Sequence, residues 1–294
     1  MDQAVGLRRK GEGQKSWSGS TSEAPTIAQP VRVIAVSSGK GGVGKSNVVI
    51  NLALAFDRLG LKVLIMDADL GLANIDVLLG LAPKYNISHV LDGRKRIEEV
   101  LVNGPGNIRI MPASSGVHEL TRLTDEQKLI FLEMLDGLET EIDILLIDTS
   151  AGISDTVLYF NLAAQEKIIV VTPEPTSLTD AYALIKVLYT RHGERHFRIL
   201  TNQVKDEKTG KAIFAKISKV ADHFLDGLSL DYLGSVPYDP MVPKAVIQQR
   251  PLLELFPDTP AARAFMSIAR SIQKAPPAVN QGTIQFFWKR LLNV

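Results

Sequence analysis

From Val31 to about Lys274, short apolar runs alternate with amphipathic stretches. Val31 to Val36, Lys62 to Asp69, Ile108 to Ala113, Ile142 to Asp148, Lys167 to Thr172, Arg198 to Asn202 and Tyr232 to Val236 are rich in Val, Ile and Leu, and they predict strands. Between most of them apolar residues recur at helical spacing, as from Asn47 to Leu59. Near-continuous apolar strands separated by helices imply βαβ crossovers, so the predicted fold is α/β: a doubly wound, mostly parallel sheet flanked by helices. Ligands of such sheets sit beyond the carboxyl ends of the strands.

The two ends break the pattern. Residues 9 to 30 are rich in Gly, Ser, Thr, Gln, Lys and Pro without apolar periodicity, and Ala275 to Gly282 repeats that character, so both read as linkers. The expected organisation is an N-terminal motif and linker over 1–30, one domain over 31–274, and a linker with a terminal helix over 275–294. At about 100° per residue, Ile284, Phe287, Trp288, Leu291, Leu292 and Val294 fall on one arc of roughly 160°. Gln285, Lys289, Arg290 and Asn293 lie opposite, and Phe286 is the exception. Clustered aromatic and basic residues after a Pro-Pro linker favour a helix that lies on an anionic membrane surface over one docked on the core.

Composition narrows the chemistry. With 294 residues and 45% hydrophobic content the chain can bury one large core. A net charge of +1 gives no support to nucleic-acid binding by bulk charge. There are no cysteines, which removes disulfides, thiolate metal sites and cysteine nucleophiles. His192 and His196 are four apart, but Gly193 between them predicts a loop rather than a metal-binding helix face. No early apolar run follows a basic start and no segment approaches the length of a membrane span, so a cytoplasmic protein is expected.

The first strand runs into Ser37-Ser38-Gly39-Lys40-Gly41-Gly42-Val43-Gly44-Lys45-Ser46, and Asn47 opens the helix after it. Gly39 and Gly44 frame a G-x-x-x-x-G-K-S phosphate-binding loop: backbone N–H groups cradle phosphates, Lys45 reaches the β and γ phosphates, and Ser46 holds Mg²⁺. Lys40 adds a second ammonium at the loop tip, placed to meet charge from outside. Two further strands end in carboxylates: Lys62 to Asp69 closes on Asp67 and Asp69, whose alternate spacing puts both on one strand face, and Ile142 to Asp148 closes on Asp148. Asp148 matches a Walker B aspartate that holds the metal shell, usually through water.

The doubled lysine resembles the deviant Walker A family of MinD, ParA, the nitrogenase iron protein and related dimerising ATPases. The absent cysteines argue against its iron–sulfur branch. The resemblance implies a MinD-like P-loop NTPase with ATP and Mg²⁺ as cofactors, working as a homodimer in which Lys40 reaches across to the facing subunit's phosphates, like an arginine finger. Asp67, Asp69, Gly71, Asn74 and Asp76 complete a D-x-D-x-G-x-x-N-x-D run similar to the first switch of MinD-type ATPases. By that likeness Asp69 orients the attacking water, while Asp67 and Asn74 support metal and switch. Thr149-Ser150-Ala151-Gly152 resembles the second switch, with Ser150 where relatives often carry Pro or Gly. Asn202, Pro237 and Asp239 match positions that line adenine, and Gln203 departs from the Arg or Lys common beside that Asn. The segment Thr172 to Ala181 resembles one involved in loop packing and the dimer face.

At the start of the chain Asp2, Gln3, Ala4, Leu7 and Arg8 match D-Q-A-x-x-L-R, which resembles the activator helix of the FlhG family of flagellar number and placement regulators. That likeness implies an FlhF-type GTPase of the signal-recognition-particle class as partner, flagellar basal-body or transcription-factor proteins as further candidates, and reversible attachment to the inner face of the membrane. A cell-division ATPase of MinD type and a DNA-partitioning ATPase of ParA type remain open alternatives.

Overall fold

The computed structural model describes residues 31–69, 74–112 and 142–276. The N-terminal motif, Gly71, the end of the third predicted strand at Ala113, and the terminal helix with Ile284 to Leu292 lie outside the described residues.

Among the described residues one sheet of eight strands carries the fold. In chain order they are β1 (Arg32–Ser38), β2 (Val63–Ala68), β3 (Val102–Asn103), β4 (Arg109–Met111), β5 (Ile144–Ala151), β6 (Glu166–Val171), β7 (His196–Val204) and β8 (Ser229–Pro237). Their spatial order is β3-β4-β2-β5-β1-β6-β7-β8. All neighbours pair in parallel except β3, which runs antiparallel to β4. The seven predicted strands are present; β3, two residues at the sheet edge, is too short to show any alternation in sequence.

The helices are α1 (Lys45–Arg58), α2 (Ile75–Leu78), α3 (Ile87–Leu91), α4 (Ile97–Val100), α5 (Asp155–Ala163), α6 (Pro175–His192), α7 (Glu207–Phe224), α8 (Met241–Ile247), α9 (Leu252–Leu255) and α10 (Pro260–Lys274). Strand side chains alternate between two faces. Ile34 and Val36 of β1 join Val48, Leu52 and Phe56 of α1 and Phe265 and Ile272 of α10 on one side. Val33 and Ala35 meet Phe160 of α5 and Ile97 of α4 on the other. A third cluster packs α6 and α7 against β6 and β7.

Local signals set the helix ends. Thr259 accepts a hydrogen bond from the Ala262 amide and Pro260 opens α10, whose buried Ala261, Ala262, Phe265, Ile268, Ala269 and Ile272 form its apolar stripe. Asp206 caps α7 through the Thr209 amide at 2.7 Å. His192 closes α6 and Gly193 turns the chain at φ 73°, as the sequence between the two histidines predicts.

The topology fixes the site. After β1 the chain crosses to β2 on one side, returns through β5, and then leaves through β6 to β8 on the other. This reversal beside β1 is the switch point at which doubly wound sheets bind ligands. Among the described residues no helix is long and apolar enough to cross a membrane.

Candidate functional site

The loop between β1 and α1 has the backbone a phosphate cradle needs. Gly42 and Gly44 adopt φ 81° and 82°, left-handed values that L side chains rarely take. Gly44 is also the N-cap of α1, and no side chain caps that helix. Its first amides therefore face the pocket as donors, at the positive end of the helix dipole. The pocket is lined by Ser38, Lys40 to Asn47, Asp69, Asn74, Val77, Leu78 and Ala151, so the loop, the acid after β2 and the last residue of β5 share one space.

Lys45 forms a buried ion pair with Asp148. Burial raises the Asp148 carboxyl above the usual carboxylate range, opposed by the Lys45 ammonium and the neighbouring Ser46 hydroxyl. Asp148 Oδ2 is buried without a hydrogen-bond partner among the described residues. An orphaned carboxylate oxygen beside a serine hydroxyl is the donor set that a hydrated divalent cation takes, and it fits Mg²⁺ brought in with a nucleotide. A phosphate that draws Lys45 away would leave the whole carboxylate to such an ion.

Asp67, expected from the resemblance to support both metal and switch, has its carboxylate engaged by backbone amides. Its Oδ1 accepts the Asp69 amide at 3.0 Å, and its Oδ2 accepts the Asn74 and Ile75 amides at 3.1 and 3.2 Å. The carboxylate thus binds the amides at the start of α2 and ties that helix to the end of β2. Burial first, then the charge of Asp148, pushes its carboxyl up to about 6, while those amide bonds oppose the shift. Asp69 points into the pocket and accepts from Ser150 Oγ at 3.0 Å and from Asn74 Nδ2 at 3.4 Å.

Lys40 turns outward to Glu174 Oε2 at 2.5 Å and Thr176 Oγ1 at 3.0 Å. Both partners stand at the start of α6, in the segment whose resemblance implies loop packing and a dimer face. Gly39 touches the same helix: a Cβ there would lie 2.5 Å from the Ala181 nitrogen and closer still to the Asp180 carbonyl group.

A second pocket adjoins the loop, lined by Gly44, Asn47, Val48, Asn51, Asn202, Gln203, Val236 to Asp239, Val242, Pro243 and Phe265. Asn202, Pro237 and Asp239 are therefore together as expected, but two of them have structural work as well. Asn202 Nδ2 donates to the Val43 carbonyl at 2.8 Å and holds the loop from behind. Asp239 accepts the amides of Met241 at 3.0 Å and Ala261 at 3.3 Å, tying α8 and α10 together. Tyr238, Val242 and Phe265 were not singled out from sequence. The signal for Tyr238 was available: a large ring directly between Pro237 and Asp239, left 66% exposed at the mouth of the pocket.

Residues 29–273 match the family model described as ParA, NUBPL iron-transfer P-loop NTPase. The antiactivator FleN of Pseudomonas aeruginosa is 48% identical over 264 residues, 90% of this chain and 94% of that one. The flagellum site-determining protein YlxH of Helicobacter pylori is 32% identical over 265 residues, 89% of this chain and 90% of its own length. Among solved structures, the septum site-determining protein MinD complexed with Mg-ADP from Pyrococcus horikoshii aligns with a TM-score of 0.64 at 25% identity, covering 83% of this chain and 96% of that one. The chain belongs to the ParA family of P-loop NTPases, with a MinD-like fold and a nucleotide site built for ATP hydrolysis.

Proposed function

We propose that this ATPase uses Mg²⁺, pairs as a homodimer when ATP binds, and controls the number or placement of flagella at the inner face of the cell membrane. The observation that carries the pairing is Lys40. A loop whose backbone and Lys45 already serve one nucleotide presents a second ammonium at its surface, held by Glu174 and Thr176 of the same chain. An exposed ion pair of this kind is worth little, about 0 to 1 kcal/mol, so a facing triphosphate can take the lysine at small cost. In the hydrolytic step Asp69 orients water, Lys45 and the loop amides hold the phosphates, and Asp148 with Ser46 keeps the cation that neutralises developing charge.

The experiment is size-exclusion chromatography with ATP beside phosphate release. Lys40→Ala is expected to elute as a monomer and to lose turnover by at least about 10³-fold, the range of a trans-acting cationic finger. Asp69→Ala is expected to bind ATP and persist as a dimer without turnover. Normal pairing and hydrolysis by Lys40→Ala would remove the cross-subunit reading.

The flagellar reading draws on the names of the two relatives, an antiactivator and a flagellum site-determining protein, and on the D-Q-A-x-x-L-R start. It ranks above the cell-division alternative because identity to FleN is 48%, against 34% to a putative MinD of Emiliania huxleyi and 32% to MinD of Bacillus subtilis. The ends would do the rest: Asp2 to Arg8 stimulating an FlhF-type GTPase, and Ile284, Phe287, Trp288, Leu291 and Leu292 entering an anionic membrane surface, with two tails per dimer raising avidity about 10² to 10⁴-fold. Removing residues 283–294 is expected to abolish sedimentation with anionic vesicles while turnover persists, and a peptide of residues 1–20 to raise GTP hydrolysis by the partner. Unchanged sedimentation would make the tail a core helix, and absence of stimulation by peptide and intact chain alike would return the reading to cell division.

A further inference from the structure

The register of the two acidic strands places one more residue in the hydrolytic site. β2 and β5 pair in parallel with Asp67 opposite Asp148 and Ala68 opposite Thr149. The next positions along the two strands are Asp69 and Ser150. Side chains alternate along a strand, so Asp67, Asp69, Asp148 and Ser150 project to one side. There the Ser150 hydroxyl meets Asp69 Oδ1 at 3.0 Å, and Asn74 Nδ2 reaches Oδ2 at 3.4 Å.

From this juxtaposition we infer that Ser150 is a positioning residue for hydrolysis, holding the Asp69 carboxylate in the rotamer that receives the attacking water. The inference rests on the reading of Asp69 as the water-orienting group. A carboxylate has about four acceptor sites. Ser150 and Asn74 occupy one on each oxygen and leave the others to a water in the pocket. Of the two donors Ser150 makes the shorter bond, and it comes from the firmer base. Its carbonyl accepts from Thr149 Oγ1 at 3.0 Å, Thr149 Oγ1 lies 2.9 Å from Ser37 Oγ, and Asn161 Nδ2 of α5 donates to Ser37 Oγ at 2.8 Å. Ser37, Thr149 and Asn161 are fully buried. Asn74, by contrast, enters from the first switch itself, at the start of the four-residue α2. The serine therefore ties the Asp69 carboxylate to the buried sheet, and the segment after Asp148 to the segment after Asp67. A residue without a side-chain donor at this place would leave Oδ1 to find its partner elsewhere.

The test compares Ser150→Thr with Ser150→Val in the full-length chain, since the two replacements have the same shape and differ in the hydroxyl. With ATP and Mg²⁺, Ser150→Thr is expected to keep kcat within about threefold of the parent. Ser150→Val, and Ser150→Ala beside it, are expected to lose kcat by roughly 10 to 100-fold with KM for ATP and the melting temperature little changed, the cost of misplacing one group in a positioned reaction. Equal kcat for the Thr and Val variants would overturn the inference, as would a loss that appears in KM or in melting temperature rather than kcat. Asp69→Ala is run alongside. Wild-type turnover there would remove the reading beneath the inference, whereas an inactive Asp69→Ala with a fully active Ser150→Val would remove the inference alone.

Discussion

Lys45→Ala is expected to abolish ATP turnover and, separately, to destabilise the protein even without nucleotide. The first effect follows from the loss of the ammonium that reaches the β and γ phosphates, leaving the loop amides as the only cradle. The second follows from Asp148. Its carboxylate is buried against Lys45, and removing one member of a buried pair costs about 3 to 5 kcal/mol because the other charge stays desolvated. The sign with pH is fixed as well. Burial raises the Asp148 carboxyl and Lys45 opposes that rise, so the variant raises it further above the ordinary value of 3.8. A carboxyl that binds its proton more tightly folded than unfolded stabilises most below the unfolded value, and that stability fades as pH rises through the folded one. The melting temperature of Lys45→Ala should therefore fall further behind the parent as pH rises from about 4 to neutrality. Adding Asp148→Asn should return most of the stability and none of the turnover, because neighbouring effects of this kind do not add. If the double variant melts no higher than Lys45→Ala, the buried pair is not the source of the loss.

Much of this architecture was legible in the chain. The central strands β1, β2, β5 and β6 are buried along most of their length and amphipathic helices stand between most strands, so a mostly parallel sheet follows from pattern. The phosphate loop was legible because every fixed position in it answers a local physical need. Gly42 and Gly44 take left-handed backbone, Gly39 stands where a Cβ would meet α6, and Lys45 and Ser46 lie beside Asp148. What sequence could not give is which distant residues share a face. Asp69 and Ser150 are 81 positions apart, and only the register of β2 on β5 brings them within 3.0 Å.

The same limit explains the base pocket. Asn202, Pro237 and Asp239 could be singled out by their match to the family's adenine positions, whereas Val242 and Phe265 enter from α8 and α10, whose packing no local pattern specifies. Side-chain roles also shift once neighbours are known. By resemblance Asp67 is expected to support metal and switch together. In the fold the amides of Asp69, Asn74 and Ile75 donate to it, which ties the start of α2 to the end of β2. β5 likewise runs to Ala151, three residues beyond its apolar stretch, because Ser38 of β1 pairs with Ala151 and keeps the small polar residues extended.

Gly39→Ala is expected to be nearly as damaging as the loss of Lys45, for a reason that has nothing to do with charge. Gly39 does not take a left-handed backbone; it is confined by α6, where a Cβ would overlap the Asp180 carbonyl group and stand 2.5 Å from the Ala181 nitrogen. These are backbone atoms, so no side chain can swing aside, and either the loop or the helix must move. Inserting one carbon into a packed site costs about 1 to 3 kcal/mol, and more when backbone must shift. Displacement would also pull Lys40 from Glu174 and Thr176 and tilt the amides of the cradle. A melting temperature lowered by several degrees and ATP affinity lowered by more than about tenfold are expected together, because one movement causes both. Gly41→Ala is the matched control, since a Cβ there meets nothing within 4 Å and its backbone needs no left-handed angle. It should melt with the parent. Equal melting of the two variants would mean that the loop does not depend on its contact with α6, and that Gly39 serves only the phosphate.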